Sequence, residues 1–346
     1  IQAPQPGEVL VRIAASGVCR SDLHVVEGRS PVARPPMVLG HEGAGVVEEV
    51  GPGVRSVARG DHVVIALYGP CGECADCRAG NVAGCWSPTR TNNMYGLMPD
   101  GSTRLRSRGV PVHPMVGAGS LAERAVVREA QLVKVDLDIP LDLICLAGCG
   151  VTTGVGAALN TARVEPGARV AVIGCGGVGL NVIQGARIAG AARIIAIDVS
   201  SEKLDLAADL GATDVLQAGP GVDVPARVKE LVPGGVDYAF EVIGSPEIVR
   251  QAFECTHGAG TAVMVGSPAP GSEIAVDGRM LFAGRRLLGC IGGGSVPQRD
   301  IPRLVALYRS GALKLAPLVS RRLELADVNL ALDALRKGDG ARSVIL

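Results

Sequence analysis

Two textures of apolar patterning divide the chain. In the first, short apolar runs alternate with turns. Residues 8–13 and 45–50 read as strands. Gly51-Pro52-Gly53 and Gly60-Asp61-His62 read as turns. Residues 69–118 hold few periodic apolar positions and many Gly, Pro, Cys and Ser, so this lobe needs something other than a core to order it. Residues 119–137 return to strand-like patterning. In the second texture, from about residue 150, a continuous apolar run at 169–173 is followed by a glycine cluster and a helical pattern through about Ala189. A strand at 193–198, a helix at 201–210 closed by Gly211, and strands at 236–241 and 261–266 come next. Strand and helix alternating at short spacing predict a parallel sheet with crossover helices. A helix at 301–309 and a strand at 342–346 finish the chain, and no internal repeat interrupts it.

Composition narrows the classes. A length of 346 residues predicts two or three domains and a core that needs no staples. With 47% hydrophobic and 20% charged residues, most of the chain is expected to be ordered. Lys+Arg and Asp+Glu both number 34, which argues against a dedicated nucleic-acid binder but leaves room for a local basic patch. Aromatics at 2% beside 48 glycines predict an aliphatic core with many tight turns. No apolar run is long enough for a spanning helix, and the start carries no signal-peptide pattern. The expectation is a cytoplasmic protein without membrane or nucleic-acid partners, with residues preceding Ile1. Ten cysteines in so long a chain suggest metal ligation before a disulfide framework.

Gly174-Cys175-Gly176-Gly177-Val178-Gly179 matches G-x-G-x-x-G, follows an apolar strand and opens a helix, the setting a dinucleotide fold requires. The first glycine allows the turn, the second admits the pyrophosphate, and the third packs helix on strand. Asp198 ends the next strand, where an acid bonds the adenosine ribose and repels a 2′-phosphate, so NAD is expected over NADP. Lys203 adds a ribose contact or is simply solvated.

Cys71, Cys74, Cys77 and Cys85 form C-x2-C-x2-C-x7-C, four thiolates able to close a tetrahedron around a structural zinc. Disulfides and an iron–sulfur cluster are the rivals. The four-iron ferredoxin run has other spacing and a proline after its last cysteine, whereas Trp86 follows Cys85. Cys19, His41 and Cys149 are dispersed and no spacing rule joins them. Singly, each is as good a buried core residue as a ligand, although glycines lie beside all three.

Together these motifs resemble those of zinc-dependent medium-chain alcohol dehydrogenases. The resemblance rests on Cys19-Arg20-Ser21-Asp22-Leu23-His24, Gly40-His41-Glu42-Gly43-Ala44-Gly45, the four-cysteine lobe, Cys149-Gly150-Val151-Thr152-Thr153-Gly154, and the glycine loop with Asp198. It covers almost the whole chain and is closest to the longer-chain branch that includes glutathione-dependent formaldehyde dehydrogenase. It implies a GroES-like β-barrel catalytic domain over 1–149 and 292–346, and a Rossmann coenzyme domain with a doubly wound parallel sheet over 150–291. It implies two zinc ions per chain, the catalytic one held by Cys19, His41 and Cys149. Three protein ligands leave one position open, and Cys2His of alcohol dehydrogenase is itself the standard instance of this rule. By the same resemblance Ser21 and His24 form the proton relay, Asp22 holds His41 and Glu42 tunes the metal. Arg20 and Arg342 meet the pyrophosphate. A homo-oligomer follows, a dimer ahead of a tetramer.

The expected activity is hydride transfer between a primary alcohol, aliphatic or benzylic, or its aldehyde, and NAD. The rival is a thiol-adduct formaldehyde dehydrogenase. Arg104 supports it, sitting where that branch uses an arginine for the adduct's carboxylate. His24 and the absence of an acid near Ser30 oppose it. A rival of another class is a non-catalytic nucleotide-binding protein on this fold. Leu67, Tyr68 and Trp86 are candidate pocket walls. Cys145, Cys175, Cys255 and Cys290 read as buried apolar residues.

Overall fold

The computed structural model describes residues 1–346. Its secondary structure begins with β1 (Glu8–Val18), α1 (Arg20–Val26), β2 (Met37–Val38), β3 (Glu42–Val50) and β4 (His62–Ile65). The glycine-rich lobe holds α2 (Ala75–Arg78), α3 (Pro88–Met94), β5 (Leu105–Ser107) and β6 (Val110–Pro114). Then come β7 (Arg124–Arg128), β8 (Leu132–Val135), α4 (Leu141–Ile144) and α5 (Gly150–Gly156). The alternating region is β9 (Arg169–Ile173), α6 (Gly179–Ile188), β10 (Arg193–Asp198), α7 (Ser201–Leu210), β11 (Asp214–Gln217), α8 (Val224–Leu231), β12 (Val236–Glu241), α9 (Pro246–Cys255), β13 (Thr256–Met264), α10 (Gly278–Phe282) and β14 (Arg286–Gly289). The chain closes with α11 (Pro297–Arg309), β15 (Val319–Leu323), α12 (Val328–Lys337) and β16 (Arg342–Ile345).

Two compact units result. The first comprises Ile1–Thr152, Ser295–Gly311 and Val319–Leu346; the second comprises Thr153–Gly294 and Ala312–Leu318. The segment 312–318 sits with the second unit because α6 holds it. Gln184 Nε2 donates to the Lys314 carbonyl at 3.1 Å, and the Lys314 N–H returns a bond to Gln184 Oε1 at 2.8 Å.

The first unit is built on a seven-stranded sheet ordered β15-β16-β1-β3-β4-β8, with β7 also on β1. β1 runs five residues past the apolar stretch that announces it. Ser16 and Gly17 break the hydrophobic pattern, yet they are held by pairing on both sides, Gly17 opposite Glu42 and Val344. Val9, Val11, Val47, Val63, Ile65, Ala125, Val127 and Leu132 form its buried core.

In the second unit all strand pairs are parallel, ordered β11-β10-β9-β12-β13-β14. Numbered along the chain this is 3-2-1-4-5-6, the order of dinucleotide-binding sheets, whose crevice opens at the carboxyl ends of the first strands. Parallel strands covered on both faces need continuous apolar runs. Accordingly Ile194, Ile195, Ala196 and Ile197 are buried in succession. Val224, Val228, Ala252 and Cys255 from α8 and α9 pack on Ala171, Ile173 and Ala239. The helix at 201–210 ends where Gly211 adopts φ 122, and a Cβ there would meet Arg187 Cδ at 2.4 Å. Several boundaries differ from the sequence expectation, and β3 begins at Glu42, ahead of the expected residue 45. β13 starts at Thr256, and α11 starts at Pro297 because proline suits a first helical position.

Candidate active site and metal centres

The end of β1 delivers Cys19, the residue before β3 is His41, and Cys149 precedes α5. One ligand atom each from Cys19, His41, Glu42 and Cys149 lies within 4.8 Å of every other, and all four residues are buried. Residues 130 positions apart in sequence thus share one pocket of donors.

Asp22 ties this group together. Its Oδ2 accepts the Cys19 N–H at 2.8 Å, which also caps α1. Its Oδ1 accepts the Gly40 N–H at 2.8 Å and lies 3.4 Å from His41 Nδ1. One fully buried carboxylate therefore fixes the loop of one donor and faces the ring of another. Burial is the largest single influence on His41 and opposes its protonation, but the charge and hydrogen bond of Asp22, together with those of Cys19, raise the imidazole well above its ordinary value. Both ring nitrogens of His41 are buried without a hydrogen-bond partner in the protein, and Nδ1 is the one that faces Asp22.

Glu42 is also fully buried. Its Oε1 accepts the Gly150 N–H at 3.0 Å and an Arg342 N–H at 3.1 Å. Burial pushes its carboxyl up to about 7, against the pull of Arg342. The glycines next to the cysteines make this possible. A Cβ on Gly17 would meet Glu42 Oε2 at 2.2 Å, and one on Gly150 would meet an Arg342 nitrogen at 2.6 Å. The Cys19 thiol is lowered by its hydrogen bond with Cys149, against burial, with help from Arg342. Two sulfurs and an imidazole nitrogen with no protein partner are a donor set that suits zinc.

The lobe gathers the second cluster. Cys71, Cys74, Cys77 and Cys85 place all four sulfurs within 4.8 Å of one another. Cys71 to Cys77 is 3.9 Å and Cys71 to Cys85 is 3.6 Å. A tetrahedron with Zn–S of about 2.3 Å has edges of about 3.8 Å, so the cluster fits that ion. All ten cysteines are free, which removes the disulfide reading. Backbone N–H groups of Cys74 and Cys77 donate to the sulfurs of Cys71 and Cys74 at 3.4 Å each.

In the second unit the glycine loop joins β9 to α6. Gly174 has φ 99. A Cβ on Gly179 would lie 1.8 Å from the Gly174 carbonyl oxygen, whereas one on Gly176 would meet nothing within 4 Å. The loop is closed toward the sheet and open where a pyrophosphate would approach, with Gly177 and Val178 leading into the helix N-terminus. Asp198 Oδ2 accepts the Cys175 N–H at 2.7 Å, so the strand end and the loop are locked together. Lys203 donates its backbone N–H to Ser200 Oγ at 3.4 Å, capping α7.

Ser21 Oγ lies 3.9 Å from Cys19 Sγ. His24 is half-buried on α1, and burial with the charges of Arg29 and Arg20 holds its imidazole below the usual value. Arg20 is exposed and donates to the Leu335 carbonyl at 3.5 Å. Arg342 pairs within its own unit with Glu42, a partner that sequence spacing does not reveal.

Several expectations need correction. Arg104 is buried and committed. It donates to Glu8 Oε2 at 2.8 Å, to Glu8 Oε1 at 2.6 Å and to Asp100 at 2.9 Å, with a further bond to Ser102. Trp86 is 72% exposed, with the Arg90 guanidinium 5.8 Å from its ring centre. Cys290 is only partly buried and bonds Thr161. Val199 and Ile243 went unnoticed in the sequence as ordinary aliphatics. They follow the carboxyl ends of β10 and β12 and stay 69% and 52% exposed.

Residues 5–137 match the alcohol dehydrogenase GroES-like domain, and residues 177–310 match the zinc-binding dehydrogenase family. The chain is 43% identical to the S-(hydroxymethyl)glutathione dehydrogenase of Synechocystis sp., an alignment that covers 100% of this chain and 94% of that one. Among solved structures, the benzyl alcohol dehydrogenase of Acinetobacter calcoaceticus superposes with a TM-score of 0.93 at 38% identity, covering 100% of this chain and 93% of the other. An alcohol dehydrogenase zinc-binding domain protein from Burkholderia ambifaria gives 0.94 at 40% identity, with 100% and 93% covered. With a GroES-like unit bearing the Cys2His group and a Rossmann unit bearing the glycine loop, the chain belongs to the zinc-dependent medium-chain alcohol dehydrogenases.

Proposed function

We propose that the protein oxidises primary alcohols of modest size with NAD, or reduces the corresponding aldehydes, and needs no thiol carrier. The observation that carries the carrier-free part is Arg104. A guanidinium has five N–H donors, and four of those of Arg104 already serve Glu8, Asp100 and Ser102. Its charge is already met by two carboxylates and it is 6% exposed, so it is a poor receptor for a carrier's carboxylate.

In this reading Cys19, His41 and Cys149 hold a catalytic zinc, and Cys71, Cys74, Cys77 and Cys85 hold a structural one. When bound, zinc acts as a Lewis acid on an alcohol or carbonyl oxygen, and the nicotinamide takes up or returns hydride. Asp22 orients His41, so that Nε2 faces the metal. Glu42, paired with Arg342, sets the charge behind the cysteines. Ser21 Oγ accepts the substrate's hydroxyl proton, and His24 releases it to solvent. Asp198 accepts from the adenosine ribose and meets a 2′-phosphate with like charge. Val199 and Ile243 offer apolar surface to an adenine ring.

A second reading, oxidation of a hydroxymethyl–thiol adduct, is favoured by the name of the Synechocystis relative. A single set of assays separates the two: formaldehyde with and without glutathione, beside benzyl and short aliphatic alcohols, each with NAD and NADP. Turnover on simple alcohols with NAD supports the proposal. Thiol-dependent turnover far above that on alcohols reverses the ranking.

A further inference from the structure

The protein buries four arginines: Arg90, Arg104, Arg128 and Arg342. Two of them are paired with buried carboxylates, Arg104 with Glu8 and Arg342 with Glu42. Arg90 and Arg128 form no ion pair with any carboxylate. A buried guanidinium without a counter-charge is costly, so native interiors supply one. Both arginines flank the four-cysteine lobe. Arg90, on α3, donates to the Cys85 carbonyl at 2.6 Å and to the Ala83 carbonyl at 2.7 Å. Its Nε is buried with no partner in the protein. Its helix is capped by Ser87, whose Oγ lies 3.5 Å from Cys85 Sγ. Arg128 ends β7 and donates to the Gly69 carbonyl at 3.3 Å, two residues before Cys71. Burial pulls its guanidinium down, and the charges of Cys85 and Cys71 push it back up.

The lobe's own acids do not take this role, since Glu73 is exposed and Asp76 bonds Asn81. The cysteines are the remaining source of negative charge. Four thiolates around one divalent ion carry a net charge of minus two. Two guanidiniums bring the assembly to neutrality.

We infer that Arg90 and Arg128 are the counter-charges of the four-thiolate centre, and that they set its retention of a divalent metal. This rests on the structural-zinc reading above. With both in place a divalent ion leaves no residual charge, whereas a monovalent ion leaves one negative and a trivalent ion one positive charge. The two arginines are positioning residues: Arg90 also holds the carbonyls around Cys85, and Arg128 the irregular segment that leads to Cys71.

The test is zinc release from the purified holoenzyme into a chromogenic chelator. The phase belonging to the lobe is the one that Cys74→Ser removes. Arg90→Gln and Arg128→Gln should each speed that phase at least tenfold and leave the other phase unchanged. Arg90→Lys and Arg128→Lys, which keep the charge, should stay within about threefold of the parent. Gln variants that release zinc at the parental rate overturn the inference. So do Lys variants that lose it as fast as the Gln variants, since that marks lost packing. If the Gln chains fail to fold, the Lys chains alone decide: slow release supports the charge role, and fast release overturns it. A parent enzyme with two zinc ions and unaltered variants defeats this inference alone. A parent with a single zinc defeats the structural-zinc reading and this inference with it.

Discussion

Arg104→Met separates a structural arginine from a substrate-reading one. The substitution leaves Glu8, whose side chain is 3% exposed, with Oε1 unpartnered and Oε2 kept only by the Gln5 N–H at 3.0 Å. Removing one partner of a buried ion pair costs roughly 3–5 kcal/mol, because the other charge stays behind. The Asp100 contact adds little, since Asp100 is 55% exposed and such pairs give at most about 1 kcal/mol. At about 2–4 °C per kcal/mol for a unit of this size, a loss of about 3 kcal/mol lowers Tm by roughly 6–12 °C. Glu8→Gln combined with Arg104→Met should recover much of that loss, because no charge is then stranded. The assay pairs differential scanning calorimetry with steady-state kinetics well below the lowered Tm. The ratio of kcat/KM on a glutathione adduct of formaldehyde to that on benzyl alcohol should match the parent's. An unchanged Tm together with a KM for the adduct raised tenfold, about 1.4 kcal/mol of binding, would refute the reasoning.

Four further outcomes are expected. Ser21→Ala should cut kcat by about 100-fold or more, the usual worth of a positioned proton acceptor. His24→Gln should mainly alter the pH profile. The parent's His24 is held below its ordinary value, so its basic form persists into mildly acid solution, and the variant should lose rate there but not at alkaline pH. Parental rates and profiles in both variants would remove the relay. Asp198→Gly should weaken NAD use and narrow the preference over NADP, seen as converging kcat/KM values; an unchanged preference counts against Asp198. Finally, Arg169 holds the Asp237 carboxyl down at about 2. A depressed carboxyl contributes stability above its unfolded pKa and loses it as pH falls from about 4 toward 2, worth about 1 kcal/mol after solvent screening. Urea midpoints of parent and Asp237→Asn should therefore differ at pH 7, draw together below about pH 4 and converge only near pH 2; a constant gap contradicts the linkage.

Local signals carried the second unit. Its strands had to be continuous apolar runs and its loop had to be glycine-rich, so β9, β10 and β12 are legible to the residue. The lobe's cysteines are legible because their ligand spacing is local. The Cys2His group was not legible from spacing. Cys19 and Cys149 meet only through the pairing of β1 with β3 and the turn before α5, and family resemblance alone linked them beforehand. Arg104 misled for the same reason: its partner Glu8 lies 96 residues away. Arg90 and Arg128 looked like any other arginines, since burial without a carboxylate is a property of the folded lobe.

The placement of β16 sets an order of events during synthesis. Ser343 lies opposite Val18, the neighbour of Cys19, and Arg342 neutralises Glu42. A nascent chain halted at residue 318 already holds all three expected ligands of the catalytic metal and the whole second unit. It still lacks the strand that borders β1 and the only cation paired with Glu42. Domains fold as units while the chain emerges, so the second unit forms early and the catalytic unit closes last. On the proposed zinc reading, a ribosome-stalled form should hold the metal of the Cys2His group far more loosely than the released enzyme.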